Sequence, residues 1–170
     1  DEALHAAPHV IKERFHLTRG GGMPLEPRGV VASYDPASKN MLVWSSTQEP
    51  HTVRNVIADH LGMLRSNVRV MTPDTGGGFG TKVNVYPEEV LIGWISRHLR
   101  RPVKWVETRS EHMLSATQER VQIHDIEMGF DDDGRLLGYK DLFLHDMGAY
   151  APRGGAVPIN TVSCITGPYF

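Results

Sequence analysis

The chain has 170 residues, of which 40% are hydrophobic and 22% are charged, and its net charge is −2. This composition is typical of a globular domain that buries a core, and the charge balance argues against a dedicated nucleic-acid-binding protein. No apolar run approaches the length of about 20 residues that a membrane span needs. The single cysteine, Cys164, rules out a disulfide framework or a thiolate metal cluster and favours a reducing, cytoplasmic location.

The first part of the sequence predicts extended segments followed by one helix. β-compatible runs and turn-forming residues mark the extended segments. An apolar stripe that begins with a proline and ends with a glycine marks the helix. The predicted elements are, in order, a strand at 9–16, a loop at 19–29, a β-hairpin with strands at 30–34 and 41–46, and a helix at 50–62.

The second part predicts a second helix between short strands, and then a long hairpin. The helix is expected to bury a wide apolar face, made of Val90, Leu91, Trp94, Ile95 and Leu99. The predicted elements are a strand at 68–71, a helix at 86–100, a strand at 102–107, a short helix at 110–115 capped by Ser110, and strands at 121–130 and 136–145 joined by a turn at 131–135. This mixed order predicts an α+β fold with mixed sheets, β-hairpins and two main helices.

A glycine-rich loop, GGGFG at residues 76–80, follows the strand at 68–71. Three consecutive glycines exceed what a turn needs and indicate a close neighbour of the backbone. A P-loop would need Gly-Lys-Ser/Thr, but here Thr81 precedes Lys82 and Val83 follows, and the dinucleotide motif G-x-G-x-x-G also fails at its last position. Two interpretations stay open, a structural corner packed on the same fold and a cradle for a cofactor.

An uncharged amide, Gln48, stands where the strand at 41–46 ends and the helix at 50–62 begins. Such a side chain either caps the helix or points into a cleft, and the local sequence does not separate the two. The histidines lack the spacing of zinc ligands, and the acidic run at 131–133 is typical of a solvated turn rather than a calcium loop.

Several longer motifs occur in a fixed order along the chain. They read MPLEPRG at 23–29, STQEPH at 46–51, VRVMTPDTGGGFGTK at 68–82, YPEE at 86–89, RPVKWVETR at 101–109 and FLHDMGAY at 143–150. Together they resemble the molybdopterin-binding large subunit of the xanthine dehydrogenase/aldehyde oxidase family, closest to the branch that includes aerobic carbon monoxide dehydrogenases. The resemblance implies that residues 1–170 are an internal fragment, the N-terminal part of the cofactor-binding region of a longer large subunit.

The resemblance also implies roles for individual residues. It assigns contact with the molybdenum–molybdopterin cofactor to Gly77, Gly78, Phe79 and Gly80. It gives Gln48 a catalytic hydrogen bond to an oxygen ligand of the molybdenum, and no residue of this chain a direct bond to the metal. The cofactor is expected in its cytosine dinucleotide form. An iron–sulfur small subunit and an FAD medium subunit, together with the remainder of the large subunit, are the expected partners.

The implied reaction is hydroxylation of a carbon centre in an aldehyde, carbon monoxide or an N-heterocycle, with water as the oxygen source and electrons leaving through 2Fe-2S and FAD centres. The general-base glutamate and the active-site loop of such enzymes would lie beyond residue 170, so the chain by itself is not expected to be catalytically complete. Val83 stands where purine-hydroxylating members carry an acidic residue, which counts against a purine substrate. The alternative is a non-catalytic binding module with a structural glycine-rich corner.

Overall fold

A computed structural model describes residues 2–118, 120–148 and 156–165. The chain divides into two compact units, one formed by residues 22–117 and the other by residues 1–21 together with residues 118–170. None of the helices in the described ranges is long and apolar enough to cross a membrane.

The elements follow the order expected from the sequence, with a helix added near each end. They are α1 (Glu2–Ala6), β1 (His9–Leu17), β2 (Gly29–Asp35), β3 (Asn40–Ser45), α2 (Pro50–Leu61), a 3-10 turn (Arg65–Asn67), β4 (Val68–Met71), α3 (Pro87–Leu99), β5 (Val103–Val106), α4 (Arg109–Ser115), β6 (Gln122–Phe130), β7 (Leu136–His145) and α5 (Ala156–Ile165). The predicted α+β class is confirmed, whereas α1 and α5 were not predicted. The last two residues of the FLHDMGAY motif, 149 and 150, lie outside the described residues.

The unit of residues 22–117 is built on a four-stranded sheet with the order β4-β3-β2-β5. The predicted hairpin pairs β2 with β3, β5 pairs antiparallel with β2, and β4 runs parallel to β3 after the crossover through α2. Side chains alternate along β2 and β3, so every second residue enters the core. The buried apolar residues are Val30, Ala32, Met41, Val43, Val53, Ile57, Ala58, Val68 and Ile92.

The face that α3 buries matches the predicted apolar face only in part, since Val90 and Ile95 pack against the core while the other three predicted residues do not. Leu91, Trp94 and Leu99 are about half exposed, at 50%, 51% and 53%. The buried residues of α3 are Glu89, Ile92, Gly93 and Ser96, which follow the three- and four-residue spacing of one helix face.

Hydrogen bonding explains why the polar Ser96 is acceptable on the buried face of α3. Its hydroxyl accepts from the Tyr34 amide (3.0 Å) and donates to the Arg101 carbonyl (2.9 Å). A buried hydroxyl with both roles satisfied does not pay the full penalty of desolvation. An assignment based on apolar residues alone therefore missed the polar part of the buried face.

The cap of α4 is Thr108, and the prediction of Ser110 was wrong. The Thr108 hydroxyl accepts from the Glu111 amide (3.2 Å), and the Glu111 carboxylate accepts from the Thr108 amide (2.7 Å). This reciprocal pair is a capping box, which satisfies two backbone donors at once. Ser110 lies inside the first turn of the helix instead.

The other unit is an antiparallel three-stranded sheet with the order β1-β6-β7. The predicted hairpin of β6 and β7 is confirmed, and its turn is closed by the Asp131 amide, which donates to the Arg135 carbonyl (3.0 Å). Strand β1 pairs with β6 along its whole length and is exposed throughout. An ion pair between Lys12 and Glu127 (2.9 Å) links these two strands at the surface.

A buried ionic cluster anchors the start of β2 to the end of β5. The Arg28 guanidinium donates to Glu107 Oε1 (2.6 Å), its second Nη lies 3.2 Å from Glu88, and it stacks 3.6 Å above the Tyr86 ring. Nδ1 of His112 lies 2.8 Å from Glu107 Oε2. Burial alone would raise the pKa of Glu107, but hydrogen bonds from Arg28 and His112 outweigh it and lower the pKa to about 2. The cluster therefore holds an ionised carboxylate.

We predict that Glu107→Gln lowers the free energy of unfolding by about 3–5 kcal/mol at pH 7, because it leaves the buried Arg28 without its main counterion. The pKa of Glu107 falls from 4.5 to about 2 on folding, so its stabilisation is present above pH 4.5 and is lost as the pH falls towards 2. The measurement is urea unfolding at pH 7 and pH 3, followed by tryptophan fluorescence, to which Trp105 contributes with its ring 5.5 Å from Arg28.

The control is Glu127→Gln, which removes the partly exposed partner of the exposed Lys12 and should change stability far less. The difference between wild type and Glu107→Gln should shrink at pH 3. An equal effect of the two substitutions, or a Glu107→Gln effect that does not depend on pH, would contradict the assignment of a buried ionised pair.

Candidate functional site

The predicted site residues meet within the unit of residues 22–117. The glycine loop, residues 76–80, leads from β4 towards α3. Two segments lie against it. One is the β3–α2 connection, residues 46–49, which carries Gln48. The other is the segment of residues 22–26 that precedes β2, which we call the brace.

The Gln48 side chain contacts the glycine loop directly. Its Oε1 accepts from the Gly80 amide (3.1 Å), across 32 residues of sequence. The main chain holds the same connection, because the Gln48 amide donates to the Lys82 carbonyl (2.9 Å) and the Thr47 hydroxyl donates to that carbonyl (3.2 Å). Three hydrogen bonds thus fix Gln48 beside the loop.

Gln48 does not cap α2. The N-cap position belongs to Glu49, which makes no capping hydrogen bond with its side chain, and the Thr47 hydroxyl accepts from the Glu49 amide (3.1 Å). Because Oε1 of Gln48 already accepts from Gly80, its amide nitrogen Nε2 is the group left to donate. Gln48 is exposed, and Nε2 has no hydrogen-bond partner within residues 2–118 or the other described ranges. The side chain therefore presents a fixed donor at the surface of the loop.

The glycines of the loop serve different purposes. A Cβ at Gly78 would lie 2.7 Å from Gln48 Cδ, and a Cβ at Gly76 would lie 2.7 Å from Glu26 Cβ. Both positions are therefore restricted by the protein itself, as the structural-corner interpretation predicts. Gly80 has φ +90°, and a Cβ there would meet nothing within 4 Å. At this position the backbone conformation requires glycine, and one side of the loop is open.

Phe79 is held in an unusual conformation at the tip of the loop. Its φ is +50°, in the left-handed region that large side chains rarely adopt, and its exposed fraction is 65%. The ring packs over Gly77, where a Cβ would lie 2.8 Å from Cε2 of the ring. Such a backbone costs about 1–3 kcal/mol and persists where the surroundings impose it, commonly at sites that bind ligands. A strained and exposed aromatic residue thus stands beside the Gln48 donor.

Sequence reasoning missed an ion pair that packs against the glycine loop. The Lys82 side chain is fully buried, and its Nζ lies 2.8 Å from Glu26 Oε2 in the brace. The same oxygen accepts from the Gly76 amide (2.9 Å) and the Ser46 hydroxyl (2.9 Å). Partial burial would raise the pKa of Glu26, but the hydrogen bonds from Lys82, Gly76 and Ser46 hold the pKa below its usual value. Glu26 is therefore a carboxylate.

The position of Lys82 supports the rejection of a P-loop, because its ammonium points into the protein and pairs with Glu26 instead of reaching a phosphate. No local pattern in the sequence could have paired these residues, which are 56 positions apart. Val83 is half-buried next to the loop, and its amide donates to the Gly80 carbonyl (3.2 Å). Across the described ranges, no group of three or more His, Cys, Asp or Glu side chains could hold a metal ion.

Comparison with known proteins assigns the whole chain to the family that its motifs resemble. The family model of the molybdopterin cofactor-binding domain matches residues 1–170. Over 98% of its length the chain is 41% identical to the large subunit of nicotine 6-hydroxylase from Paenarthrobacter nicotinovorans. Over 88% of its length it is 37% identical to the large chain of carbon monoxide dehydrogenase from Hydrogenophaga pseudoflava.

The fold of the chain is also similar to that of a solved enzyme structure. The crystal structure of quinoline 2-oxidoreductase from Pseudomonas putida 86 aligns with 85% of this chain at 35% identity and a TM-score of 0.73, and the alignment covers 18% of that enzyme's chain. The chain likewise covers 21% of the nicotine 6-hydroxylase subunit and 19% of the carbon monoxide dehydrogenase chain, so it spans about a fifth of its relatives. The resemblance found in its motifs is confirmed, and this chain belongs to the molybdopterin cofactor-binding domain family.

Proposed function

We propose that this chain is part of the large subunit of a molybdenum hydroxylase, and that it brings Gln48 and the glycine loop to the cofactor. The observation that carries the proposal is the hydrogen bond between Gln48 Oε1 and the Gly80 amide. It joins two of the motifs that carry the family resemblance, and Gln48 Nε2 has no acceptor among the described residues. Family membership supplies the identity of the cofactor.

The residues present fit such a cofactor. Gly80 leaves one side of the loop open, Phe79 offers an exposed aromatic face, and Gln48 offers a fixed amide donor. The amide of the buried Gly78 makes no hydrogen bond within the described part of the chain. Contacts of Gly77, Gly78, Phe79 and Gly80 with the cofactor stay predictions, because protein packing already accounts for the absence of a side chain at Gly78.

When bound, the cofactor would supply the two-electron redox chemistry of hydroxylation. The contribution of this chain is positional. Gln48 would donate a hydrogen bond from Nε2 and thereby orient the reactive end of the cofactor, while its Oε1 stays fixed to Gly80. Gly80 and Phe79 would bound the space in which the cofactor lies. The remaining catalytic groups, including a general base, would come from other parts of the large subunit.

The finer details of the assembly rest on the family resemblance. We propose the cytosine dinucleotide form of the cofactor, and companion subunits that carry 2Fe-2S and FAD centres and accept the electrons. The names of the relatives, a large subunit and a large chain, are consistent with a complex of several subunits. The cytoplasmic location stays a prediction from the single cysteine.

The central test uses two substitutions of Gln48 in the complete enzyme complex. Gln48→Ala removes both the Gly80 contact and the donor. Gln48→Glu keeps an acceptor for the Gly80 amide but removes the Nε2 donor, so it isolates the proposed role. We expect both variants to keep their molybdenum and to be reduced by substrate about 10²–10³ times more slowly than wild type. The measurements are elemental analysis and single-turnover reduction.

The outcomes separate the competing interpretations. Reduction of Gln48→Glu at the wild-type rate with full molybdenum loading would show that the amide serves only to hold the loop. A wild-type complex without molybdenum would instead favour the non-catalytic binding module.

The substrate we propose is a weakly polar N-heteroaromatic ring. Nicotine 6-hydroxylase and quinoline 2-oxidoreductase, both more than 30% identical to this chain, are named for such rings. Val83 supports the same choice, because its side chain offers no hydrogen-bond acceptor to a purine. Aldehydes and carbon monoxide are the alternative substrates, and the test below compares them with such rings.

We predict a specificity constant for quinoline or nicotine at least about tenfold above that for xanthine, since a site without the matching polar partner discriminates against the more polar ring. The measurement is kcat/KM for quinoline, nicotine, benzaldehyde, carbon monoxide and xanthine. Val83→Glu should reduce the difference in kcat/KM between these rings and xanthine, whereas the control Val83→Leu should not. Wild-type oxidation of xanthine with the highest kcat/KM of the series would contradict the proposal.

A further inference from the structure

The buried ammonium of Lys82 has no role in the function described so far. Its side chain is fully buried, whereas its partner Glu26 keeps 42% of its side chain exposed. The ion pair at 2.8 Å is the one hydrogen bond of Nζ within the described residues. A buried lysine is costly to desolvate, and an apolar residue of similar size would often be as stable or more so. Stability alone therefore explains this lysine poorly.

The Glu26 carboxylate joins three segments of the candidate site. Its Oε2 accepts from Lys82 Nζ (2.8 Å), from the Gly76 amide (2.9 Å) and from the Ser46 hydroxyl (2.9 Å). The Glu26 amide also donates to the Gly76 carbonyl (3.4 Å). One oxygen atom of the brace thus meets the first residue of the glycine loop, the lysine that follows the loop, and the connection that carries Gln48.

The same lysine is tied to Gln48 through its main chain. The Lys82 carbonyl accepts from the Gln48 amide (2.9 Å) and from the Thr47 hydroxyl (3.2 Å). The side chain of Lys82 therefore fixes the residue whose carbonyl locates Gln48. Close packing of Gly76 on Glu26, where a Cβ would lie 2.7 Å from Glu26 Cβ, leaves the loop little freedom at its other end.

We propose that Lys82 and Glu26 are positioning residues, whose ion pair fixes both ends of the glycine loop relative to Gln48. The pair orders Gly76 and Lys82, and so it sets the position of the Gly80 amide and the Phe79 ring between them. Neither side chain touches the cofactor in this role. The inference rests on the proposed function for its consequence in catalysis, but the ordering of the loop is a property of the chain itself.

The test is hydrogen–deuterium exchange of the loop amides, combined with molybdenum content and single-turnover reduction, in the complete enzyme complex. Lys82→Met keeps the length of the side chain and removes its charge. Glu26→Gln keeps an acceptor for the Gly76 amide but leaves the buried Lys82 ammonium without its counterion. Lys82→Met leaves only the partly exposed Glu26 without its ammonium partner, so this variant should fold even if Glu26→Gln does not. The matched control is Lys12→Met, which breaks an exposed lysine–glutamate pair of similar length, 2.9 Å, in the other unit.

We expect exchange at the hydrogen-bonded amides of Gly76 and Gly80 to become about tenfold faster or more in both variants, because weakening the hydrogen bond from Gly76 to the charged Glu26 lets the loop open more often. Reduction of the enzyme by substrate should also become slower in both variants. The double variant Lys82→Met/Glu26→Gln should be no worse than Lys82→Met alone, since the two residues act as one unit. Lys12→Met should leave exchange in the loop unchanged.

Two results would overturn the inference. One is wild-type exchange at 76–80 in both variants, and the other is faster exchange spread evenly over the whole unit of residues 22–117, which would mark a purely structural pair. Failure of the proposed function would look different, because wild type would then lack molybdenum while the exchange of the loop still responded to the two substitutions.

Discussion

The contact between Gln48 and the glycine loop depends on the absence of a side chain at residue 78. A Cβ at Gly78 would lie 2.7 Å from Gln48 Cδ, so any larger residue would push the amide away from the Gly80 amide to which it is bonded. This steric constraint accounts for Gly78, whereas Gly77 (φ +92°) and Gly80 (φ +90°) have backbone conformations that favour glycine. Gln48, Gly80 and Phe79 take their relative positions from the constraint at Gly78.

Protein contacts hold one side of the glycine loop, whereas the other side is open. Glu26 and Lys82 bind its two ends, and the brace packs on Gly76, whereas a Cβ at Gly80 would meet no atom within 4 Å and Phe79 is 65% exposed. Rigid support behind an open, strained tip is what a preorganised contact surface requires, because the ordering is complete before the ligand arrives. The structural-corner interpretation thus describes the side of the glycine loop that packs on the brace. The cofactor-cradle interpretation is our proposal for the open side.

Most of the fold followed from local sequence patterns, because alternating burial along strands, the proline starts of α2 and α3 and the glycine end of α2 are signals carried by neighbouring residues. The same holds for Gln48 and the loop, which motif resemblance brought together. The wrong cap of α4 was a local signal that was overlooked, since Thr108 and Glu111 have the spacing of a capping box. The other misses came from interactions that local patterns do not encode. Ser96 is buried because Tyr34 and Arg101 satisfy its hydroxyl, and Lys82 is buried because Glu26, 56 residues away, supplies its counterion.

The most direct test of the central claim is an experimental structure of the complete complex with its cofactor, in which the distance from Gln48 Nε2 to the nearest cofactor oxygen is measured. The geometry presented here predicts about 3 Å, with Oε1 still bonded to the Gly80 amide and the cofactor against Gly80 and Phe79. A cofactor bound away from this loop, or a Gln48 amide turned out of hydrogen-bond distance from it, would contradict the account.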